Sequence, residues 1–273
     1  MFFCTDARSL YRESITMALI EYSSSDRVGT ITLNRAEKRN ALNQAMVDGL
    51  RDAFTRAVAD DKVKVIVLRA DGEAFCAGAD LEYLKQLQQF TFEENLTDSR
   101  NLMELFKLIY KSPKVVVAQI QGSALAGGSG LVTVCDFAFS VPEAKFGYTE
   151  VRIGFVPAIV SAFLIRKVGE SKARDLLLSG RLIQADEAAR LGMITKVIER
   201  NALEKEVNTF AQQLVTTASA QSLTTTKMLI NEVQSLSLDD ALDLAARENA
   251  QARSTADCKK GIESFLEKRD LKW

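Results

Sequence analysis

The chain of 273 residues contains no histidine. This absence excludes Ser-His-Asp and Cys-His nucleophilic machinery, histidine-ligated metals and histidine general bases. Acid–base chemistry must therefore come from Asp, Glu, Lys, Tyr or Cys side chains. The chain also lacks a large net charge, because its 35 Lys and Arg residues nearly balance its 36 Asp and Glu residues. That balance gives no general attraction to nucleic acid or to an anionic membrane.

Cysteines are few and do not form a metal-binding or disulfide pattern. The chain has no CxxC pair, and its four cysteines lie far apart: Cys4, Cys76, Cys135 and Cys258. We therefore expect free, buried or unreactive thiols in a reducing compartment. No apolar run is long enough for a membrane span, and the N-terminus lacks the apolar stretch of a signal peptide. These absences predict a cytoplasmic protein.

Strand and helix signals alternate through the first two-thirds of the chain. Short apolar or β-branched runs predict four strands: 28–33, 63–68, 114–120 and 137–140. Between the first two, apolar residues recur at every fourth position from Leu42 to Val58 and predict a helix. This alternation favours an α/β core with parallel strands.

From residue 159 onward the pattern is mainly helical, with only residues 194–198 resembling a strand. Helices are predicted over seven segments: 159–168, 171–179, 184–191, 201–217, 220–235, 238–252 and 255–267. The three prolines lie outside any linker-like stretch, so we expect one continuous fold. Residues 1–16 are predicted to be an extension outside it, 17–200 the core and 201–273 a helical region that contacts neighbouring subunits.

Two loops rich in small residues could bind an anion. Segment 72–81 follows a predicted strand, and its small residues would let a ligand approach the backbone; it equally suits a tight turn capped by Asp80. Segment 122–130 opens an apolar helix with a glycine pair, which could present N–H groups or simply permit close packing. Two such loops suggest backbone donors that converge on one oxygen, an oxyanion hole.

The third candidate is a carboxylate in segment 145–157. Glu150 lies there among mostly apolar and aromatic residues. Burial among such residues would raise the pKa of Glu150 toward a range useful for acid–base chemistry. The alternative is an exposed glutamate paired with Arg152.

Taken together, these segments resemble the enoyl-CoA hydratase/isomerase, or crotonase, superfamily. The motifs run in order from about residue 17 to the C-terminus: LNRAEKRNALN (33–43), AFCAGADL (74–81), IQGSALAGGSGL (120–131), CDFAFS (135–140), KFGYTEVRIGFVP (145–157), LLLSGRLIQADEAARLGMITKVI (176–198) and ESFLEKRDLKW (263–273). The resemblance implies a ClpP-like α/β spiral of ββα units with a C-terminal helical trimerisation region. It also implies homotrimers or homohexamers that act on an acyl-CoA thioester, with no cofactor beyond the CoA of the substrate.

The resemblance also assigns roles by position. The N–H groups of Ala79 and Gly127 would hold the thioester oxygen, and Glu150 would move a proton. Lys38 and Arg39 would meet the CoA phosphates, although both equally suit solvated surface charge. Other positions along the acyl-CoA path are Ala41, Ala77, Gly78, Asp80, Leu81, Gly128, Gly130 and Tyr148, with Phe265 and Lys268 reaching the CoA of a neighbouring subunit.

At one catalytic position the chain departs from the family. Typical hydratases carry a second glutamate where this chain has Gly130. The run FGYTEVRIGFVPAIV resembles methylglutaconyl-CoA-type hydratases and favours hydration of a short or branched 2-enoyl-CoA. A single carboxylate instead suits isomerisation of a 3-enoyl-CoA to a 2-enoyl-CoA. A catalytically impaired acyl-CoA-binding protein is the alternative of another class, and thioester hydrolysis or decarboxylation are further alternatives.

Overall fold

The computed structural model describes residues 18–273, so the predicted extension over 1–16 and Cys4 lie outside the described residues. A six-stranded sheet contains, in spatial order, β1 (Ile20–Ser25), β2 (Val28–Leu33), β3 (Val65–Ala70), β4 (Val115–Ile120), β6 (Phe137–Ser140) and β9 (Lys196–Val197). Strand β1 is antiparallel to β2, and the other neighbouring pairs are parallel. A second sheet joins β5 (Ala124–Leu125), β7 (Lys145–Gly147) and β8 (Ile183–Gln184).

Helices surround these sheets. They are α1 (Gln44–Ala59), α2 (Leu81–Leu87), α3 (Phe92–Tyr110), α4 (Gly127–Val134), α5 (Ala158–Val168), α6 (Glu170–Ser179), α7 (Ala185–Leu191), α8 (Leu203–Thr217), α9 (Ala220–Val233), α10 (Leu238–Ser254) and α11 (Ala256–Leu266). Short 3₁₀ segments lie at Ala36–Lys38 and Glu150–Ile153. No helix among the described residues is long and apolar enough to cross a membrane.

The predicted α/β core with parallel strands is confirmed. Helix α8 packs across β2, β3, β4 and β6, and its four buried residues are Leu203, Val207, Ala211 and Val215. The first helix of the predicted C-terminal region is therefore part of the core. The thiols of Cys76 and Cys135 are free and fully buried, and burial raises the pKa of each to about 12, so both stay protonated at neutral pH.

Candidate active site

Three short chain segments lie side by side and in register at the candidate site. Ala124 on β5 pairs with Phe146 on β7, and on its other side it forms a parallel bridge with Cys76. Neighbouring strands lie about 4.8 Å apart, and the carboxyl ends of parallel strands meet at one edge. The loops that follow the three segments therefore leave the sheet together.

All three predicted catalytic positions lie in those loops. Ala79 follows the first segment, Gly127 follows β5 and Glu150 follows β7, each within four residues of the paired positions. The chain thus brings to one edge the two backbone donors and the carboxylate that the resemblance implies. The pairing register, and not proximity in sequence, creates this arrangement.

The N–H group of Ala79 is free because of a second bridge. Leu42 lies opposite Ala79: its N–H donates to the Gly78 oxygen at 2.7 Å, and its oxygen accepts from the Asp80 N–H at 2.8 Å. In a parallel bridge of this kind, the residue between the two bonded neighbours directs its own N–H and C=O to the opposite side. Within residues 18–273, the Ala79 N–H donates no hydrogen bond.

The N–H group of Gly127 is the first of helix α4. The preceding residue, Ala126, donates to the Gly147 oxygen at 2.8 Å and adopts φ 48° and ψ −119°. This turn leaves the Gly127 N–H without an acceptor among the described residues, at the positive end of the helix dipole. An oxyanion placed between the Ala79 and Gly127 loops would meet two unpaired donors.

Ala126 holds a backbone conformation that favours glycine. A non-glycine residue in such a region costs about 1–3 kcal/mol, partly offset by the lower chain entropy of alanine. We expect Ala126→Gly to raise the free energy of unfolding by about 1 kcal/mol in urea denaturation. Because the turn is unchanged, turnover should stay within about twofold of the native rate. A destabilised variant would contradict the assigned strain.

Backbone-to-backbone packing holds the two loops together. A Cβ on Gly128 would lie 2.2 Å from the Cys76 oxygen, so only glycine fits there. A Cβ on Gly78, whose φ is 95°, would lie 3.0 Å from the Leu125 oxygen. The two interpretations of these glycine-rich loops, close packing and backbone access for a ligand, are therefore compatible, because the packing fixes the positions of the free N–H groups.

Glu150 is the unpaired carboxylate of the site. Its Oε2 atom is buried and has no hydrogen-bond partner among the described residues. Burial raises the pKa of Glu150, opposed only by a hydrogen bond from its own backbone N–H. No ion pair joins it to Arg152, so the interpretation as an exposed paired glutamate is wrong. The side chain is available to exchange a proton with a bound molecule.

The side chains of two predicted contact residues are buried and are bonded to other residues of the chain. Tyr148 is fully buried, and its hydroxyl lies 2.5 Å from the Thr133 Oγ1 atom. Asp80 is 4% exposed, caps α2 and pairs with Arg35 at 2.6 Å. Burial opposes its ionisation, but hydrogen bonds from Arg35 and from the first N–H groups of α2 hold the pKa of Asp80 below its usual value. The side chains of Tyr148 and Asp80 therefore support the loops, and the predicted cap at Asp80 is confirmed.

Gly130 faces an aromatic ring that the sequence patterns do not reveal. A Cβ on Gly130 would lie 2.6 Å from two ring carbons of Phe106, which is buried near the C-terminal end of α3. Gly130 is three residues after Gly127 on α4, so the ring lies about one helical turn from the free donor. The Phe106 ring therefore fills the space beside position 130, where the resemblance implies a glutamate in typical hydratases. Ser129 is engaged elsewhere, by the Ala124 oxygen and the Gly147 N–H.

This close contact predicts a specific coupling. Gly130→Ala should lower the free energy of unfolding by about 2 kcal/mol, because the added methyl overlaps the ring. Phe106→Leu should relieve the overlap, so the double variant should be more stable than the sum of the single changes predicts. Urea denaturation of the native protein and the three variants measures this coupling. Strictly additive effects would contradict the contact.

The predicted CoA-side residues lie beside the Ala79 loop. The Ala77 N–H donates to the Arg39 oxygen at 3.0 Å, which joins the turn containing Lys38, Arg39 and Ala41 to that loop. Lys38 is exposed and pairs with Glu82 at 3.1 Å. Leu81 is 76% exposed at the start of α2. An anionic ligand at this turn would have to compete with the Glu82 carboxylate for the Lys38 ammonium group.

Asn40 is a positioning residue that the sequence patterns missed. It is fully buried at φ 54°; its Oδ1 accepts from the Arg35 N–H, and its Nδ2 donates to the Asp71 and Ala74 oxygens. This side chain ties the CoA-side turn to the loop that leads to Ala79. The only feature of the sequence that could have indicated this role of Asn40 is its position in the motif LNRAEKRNALN.

Phe265 and Lys268 are not brought to this site within one chain. Phe265 is 83% exposed on α11. The tail after α11 is tied to the opposite end of β2, because the Arg27 side chain donates to the Trp273 oxygen at 2.9 Å. Lys38 and Arg39 follow the other end of that six-residue strand.

Two cavities lie outside the three loops. One, of about 310 Å³, is lined by residues of α2, α3 and the start of α1: Gln44, Tyr83, Phe90, Glu93, Glu94, Thr97, Asp98 and Asn101. The other, of about 680 Å³, lies between α3, α5 and the end of α9. The smaller cavity is acidic, and one of its lining residues, Tyr83, lies four residues after Ala79 in the chain.

Comparison with known proteins gives consistent matches over nearly the whole chain. The family model described as Enoyl-CoA hydratase/isomerase matches residues 23–273. The Thermus thermophilus protein named "Putative enoyl-CoA hydratase" is 43% identical over 242 residues, 89% of this chain and 95% of that protein. Syntrophomonas wolfei crotonyl-CoA hydratase is 31% identical over 89% of this chain and 93% of its own length. A Mycobacterium smegmatis enoyl-CoA hydratase structure aligns with a TM-score of 0.88 at 29% identity, covering 93% of this chain and 98% of that one.

Proposed function

The chain belongs to the enoyl-CoA hydratase/isomerase family, and we propose that it stabilises the enolate of an acyl-CoA thioester in a backbone oxyanion hole. The observation that carries the proposal is the convergence of three groups at one sheet edge. These groups are the unpaired N–H of Ala79, the unpaired N–H of Gly127 and the buried, unpartnered carboxylate oxygen of Glu150.

In this proposal the thioester oxygen accepts hydrogen bonds from Ala79 and Gly127. Both donors strengthen as negative charge develops on that oxygen, and each is worth on the order of 3 kcal/mol in such a hole. The dipole of α4 adds to the stabilisation. Glu150 then moves the proton, since it is the site carboxylate without a partner among the described residues.

The reaction we place first is hydration of a short or branched 2-enoyl-CoA of the methylglutaconyl-CoA type. Glu150 removes a proton from water as the water oxygen bonds to the β-carbon, and the protonated Glu150 then gives a proton to the α-carbon of the enolate. The hydratase names of the relatives at 43% and 31% identity support this choice. No cofactor is needed beyond the CoA of the substrate.

A second candidate is isomerisation of a 3-enoyl-CoA to a 2-enoyl-CoA. The apolar Phe106 ring against Gly130 supports it, because that wall offers no side-chain group to hold water. Glu150 would remove a proton from the α-carbon and return it to the γ-carbon. One carboxylate suffices for this transfer.

Assembly of several copies completes the proposal. Large apolar side chains are exposed on the C-terminal helices: Met228, Ile230, Leu242, Ile262, Phe265 and Leu266. Exposed apolar side chains of this size support a homotrimer or homohexamer, because exposed apolar surface often marks contacts between protein subunits. In the assembly, Phe265 and Lys268 of one copy would reach the CoA bound at Lys38 and Arg39 of the next.

A mass-resolved turnover assay tests the function. The purified protein meets straight and branched 2-enoyl- and 3-enoyl-CoAs. The panel includes methylglutaconyl-CoA and an uncharged branched analogue, so that the effect of branching is separated from the effect of a second carboxylate. A product heavier by one water supports hydration, and a shifted double bond at unchanged mass supports isomerisation. Binding without conversion of any member would contradict both and assign an impaired acyl-CoA-binding protein.

A further inference from the structure

The cavity between α3, α5 and α9 is separate from the three loops of the active site. It measures about 680 Å³, within the usual range of small-molecule pockets. Its lining residues are Met103, Lys107, Tyr110, Lys111, Ile159, Ala162, Phe163, Arg166, Asn231, Glu232, Ser235 and Leu236. The enolate chemistry proposed above uses none of them.

The floor of the cavity is apolar and is formed by aromatic rings that pack on one another. The rings of Tyr110 and Phe163 meet edge to face with centroids 5.1 Å apart. Phe163 packs in the same way on the buried ring of Phe106, at 6.3 Å. Met103 and Leu236 add exposed aliphatic surface. A flexible alkyl chain could cover this floor and remove apolar area from water.

The rim carries positive charge, although the whole chain has a net charge of −1. Three cations and one carboxylate line the cavity: Lys107, Lys111, Arg166 and Glu232. Lys107 also contacts Glu104 at 3.4 Å. Lys111 and Arg166 form no ion pair within residues 18–273. Lys111 and Arg166 are therefore the lining cations without a carboxylate partner in the described part of the chain, and Arg166 also donates to the Ala162 oxygen at 2.8 Å.

We propose that this cavity binds an amphipathic monoanion, a medium-chain alkyl carboxylate. The alkyl chain lies over Tyr110 and Phe163, and the carboxylate pairs with Lys111 and Arg166. An apolar protein surface fits less well, because it would bury these two cations without a counter-charge. A cationic or neutral amphiphile lacks the matching group.

Calorimetric titration of the full chain with octanoate tests the site. We expect one octanoate per chain and no binding of octylammonium, 1-octanol or acetate, which lack the charge or the alkyl chain. The double variant Lys111→Ala/Arg166→Ala should weaken octanoate binding by about tenfold or more, since it removes both charge-assisted contacts. Lys205→Ala, a change at an exposed lysine on α8, is the matched control and should leave the affinity unchanged.

Three results would overturn the proposal. They are no octanoate binding, equal binding of octylammonium, or full affinity in the double variant. Glu150→Gln separates this site from the active site, because it should leave octanoate binding unchanged whether or not turnover is lost. The alternative occupant of the cavity is a second copy of the chain, and sedimentation velocity over a range of concentrations tests it. Octanoate affinity that falls as self-association rises would assign the cavity to that second copy.

Discussion

Glu150→Gln is expected to lower kcat by about 10³-fold while acyl-CoA affinity stays nearly native. General acid–base catalysis contributes about 10²–10⁴-fold, and Glu150 is the carboxylate placed to supply it. Glutamine keeps the size of the side chain but cannot exchange the proton. Steady-state turnover and calorimetric binding of a non-reacting acyl-CoA measure the two quantities. Glu199→Gln, an exposed glutamate after β9, is the matched control and should behave as the native protein.

The same variant should be more stable than the native protein at neutral pH. Burial raises the pKa of Glu150 in the folded state above its unfolded value. The folded chain therefore binds more protons between the two values, and its stability falls as pH rises through that window. Glutamine carries no charge, so the advantage of the variant should shrink as pH drops below the raised pKa. Urea denaturation at several pH values tests the direction of this pH dependence. Separately, turnover of Glu150→Gln equal to the native rate would remove Glu150 from the mechanism.

The pH dependence of the native reaction gives a third readout of Glu150. If its carboxylate accepts the first proton, kcat/KM should fall on the acid side with an apparent pKa above the ordinary glutamate value of about 4.3. The Glu150→Gln variant should lack that limb.

Several elements with strong periodicity could be predicted from the sequence almost to the residue, but the 19-residue helix α3 was not predicted. The predicted strand 28–33 is β2, and the predicted helices 159–168 and 171–179 each begin one residue earlier in the structure. Gly169, Gly180 and Gly192 are the C-cap residues of α5, α6 and α7. The predicted strand 63–68 begins two residues later, because the turn at Val63 precedes the pairing of β3.

Elements that depend on tertiary pairing escaped prediction. Strand β1, IEYSSS, is mostly exposed and polar, and only its pairing with β2 makes it a strand. Strands β5 and β8 have two residues each, too few for any periodic signal. The contact between Phe106 and Gly130 joins residues on α3 and α4 that no local pattern connects.

The candidate site also has features that could be predicted from the sequence and features that depend on tertiary pairing. Residue type and motif order located the loops of Ala79 and Gly127, and the superfamily resemblance is confirmed by the family match. What the sequence could not provide was the register Cys76–Ala124–Phe146, which decides that these loops and Glu150 share one edge. The roles of these residues in catalysis, and the cytoplasmic location, stay predictions.

Lys227→Met is expected to lower the free energy of unfolding by about 3 kcal/mol. The ammonium group of Lys227, 6% exposed on α9, lies 2.7 Å from the Asp136 Oδ2 atom and donates to the Lys114 oxygen at 3.1 Å. Asp136 also accepts from the Val116 N–H, so this pair joins α9 to the start of β4. Removing one partner of a buried pair costs about 3–5 kcal/mol, and the partial exposure of Asp136 favours the lower figure.

We attribute the loss of stability in Lys227→Met to the Asp136 carboxylate, which is left without its paired cation. A double variant distinguishes this effect from the loss of packing alone. Lys227→Met/Asp136→Asn removes both charges, so it should recover part of the stability that Lys227→Met loses. Lys205→Met, at an exposed position on α8, should change the urea midpoint little. A double variant no more stable than Lys227→Met would assign the loss to packing of the lysine stem. In that case α9 would be held to the core by apolar contacts and by the carbonyl hydrogen bonds of Lys227, with no net contribution from the charge pair.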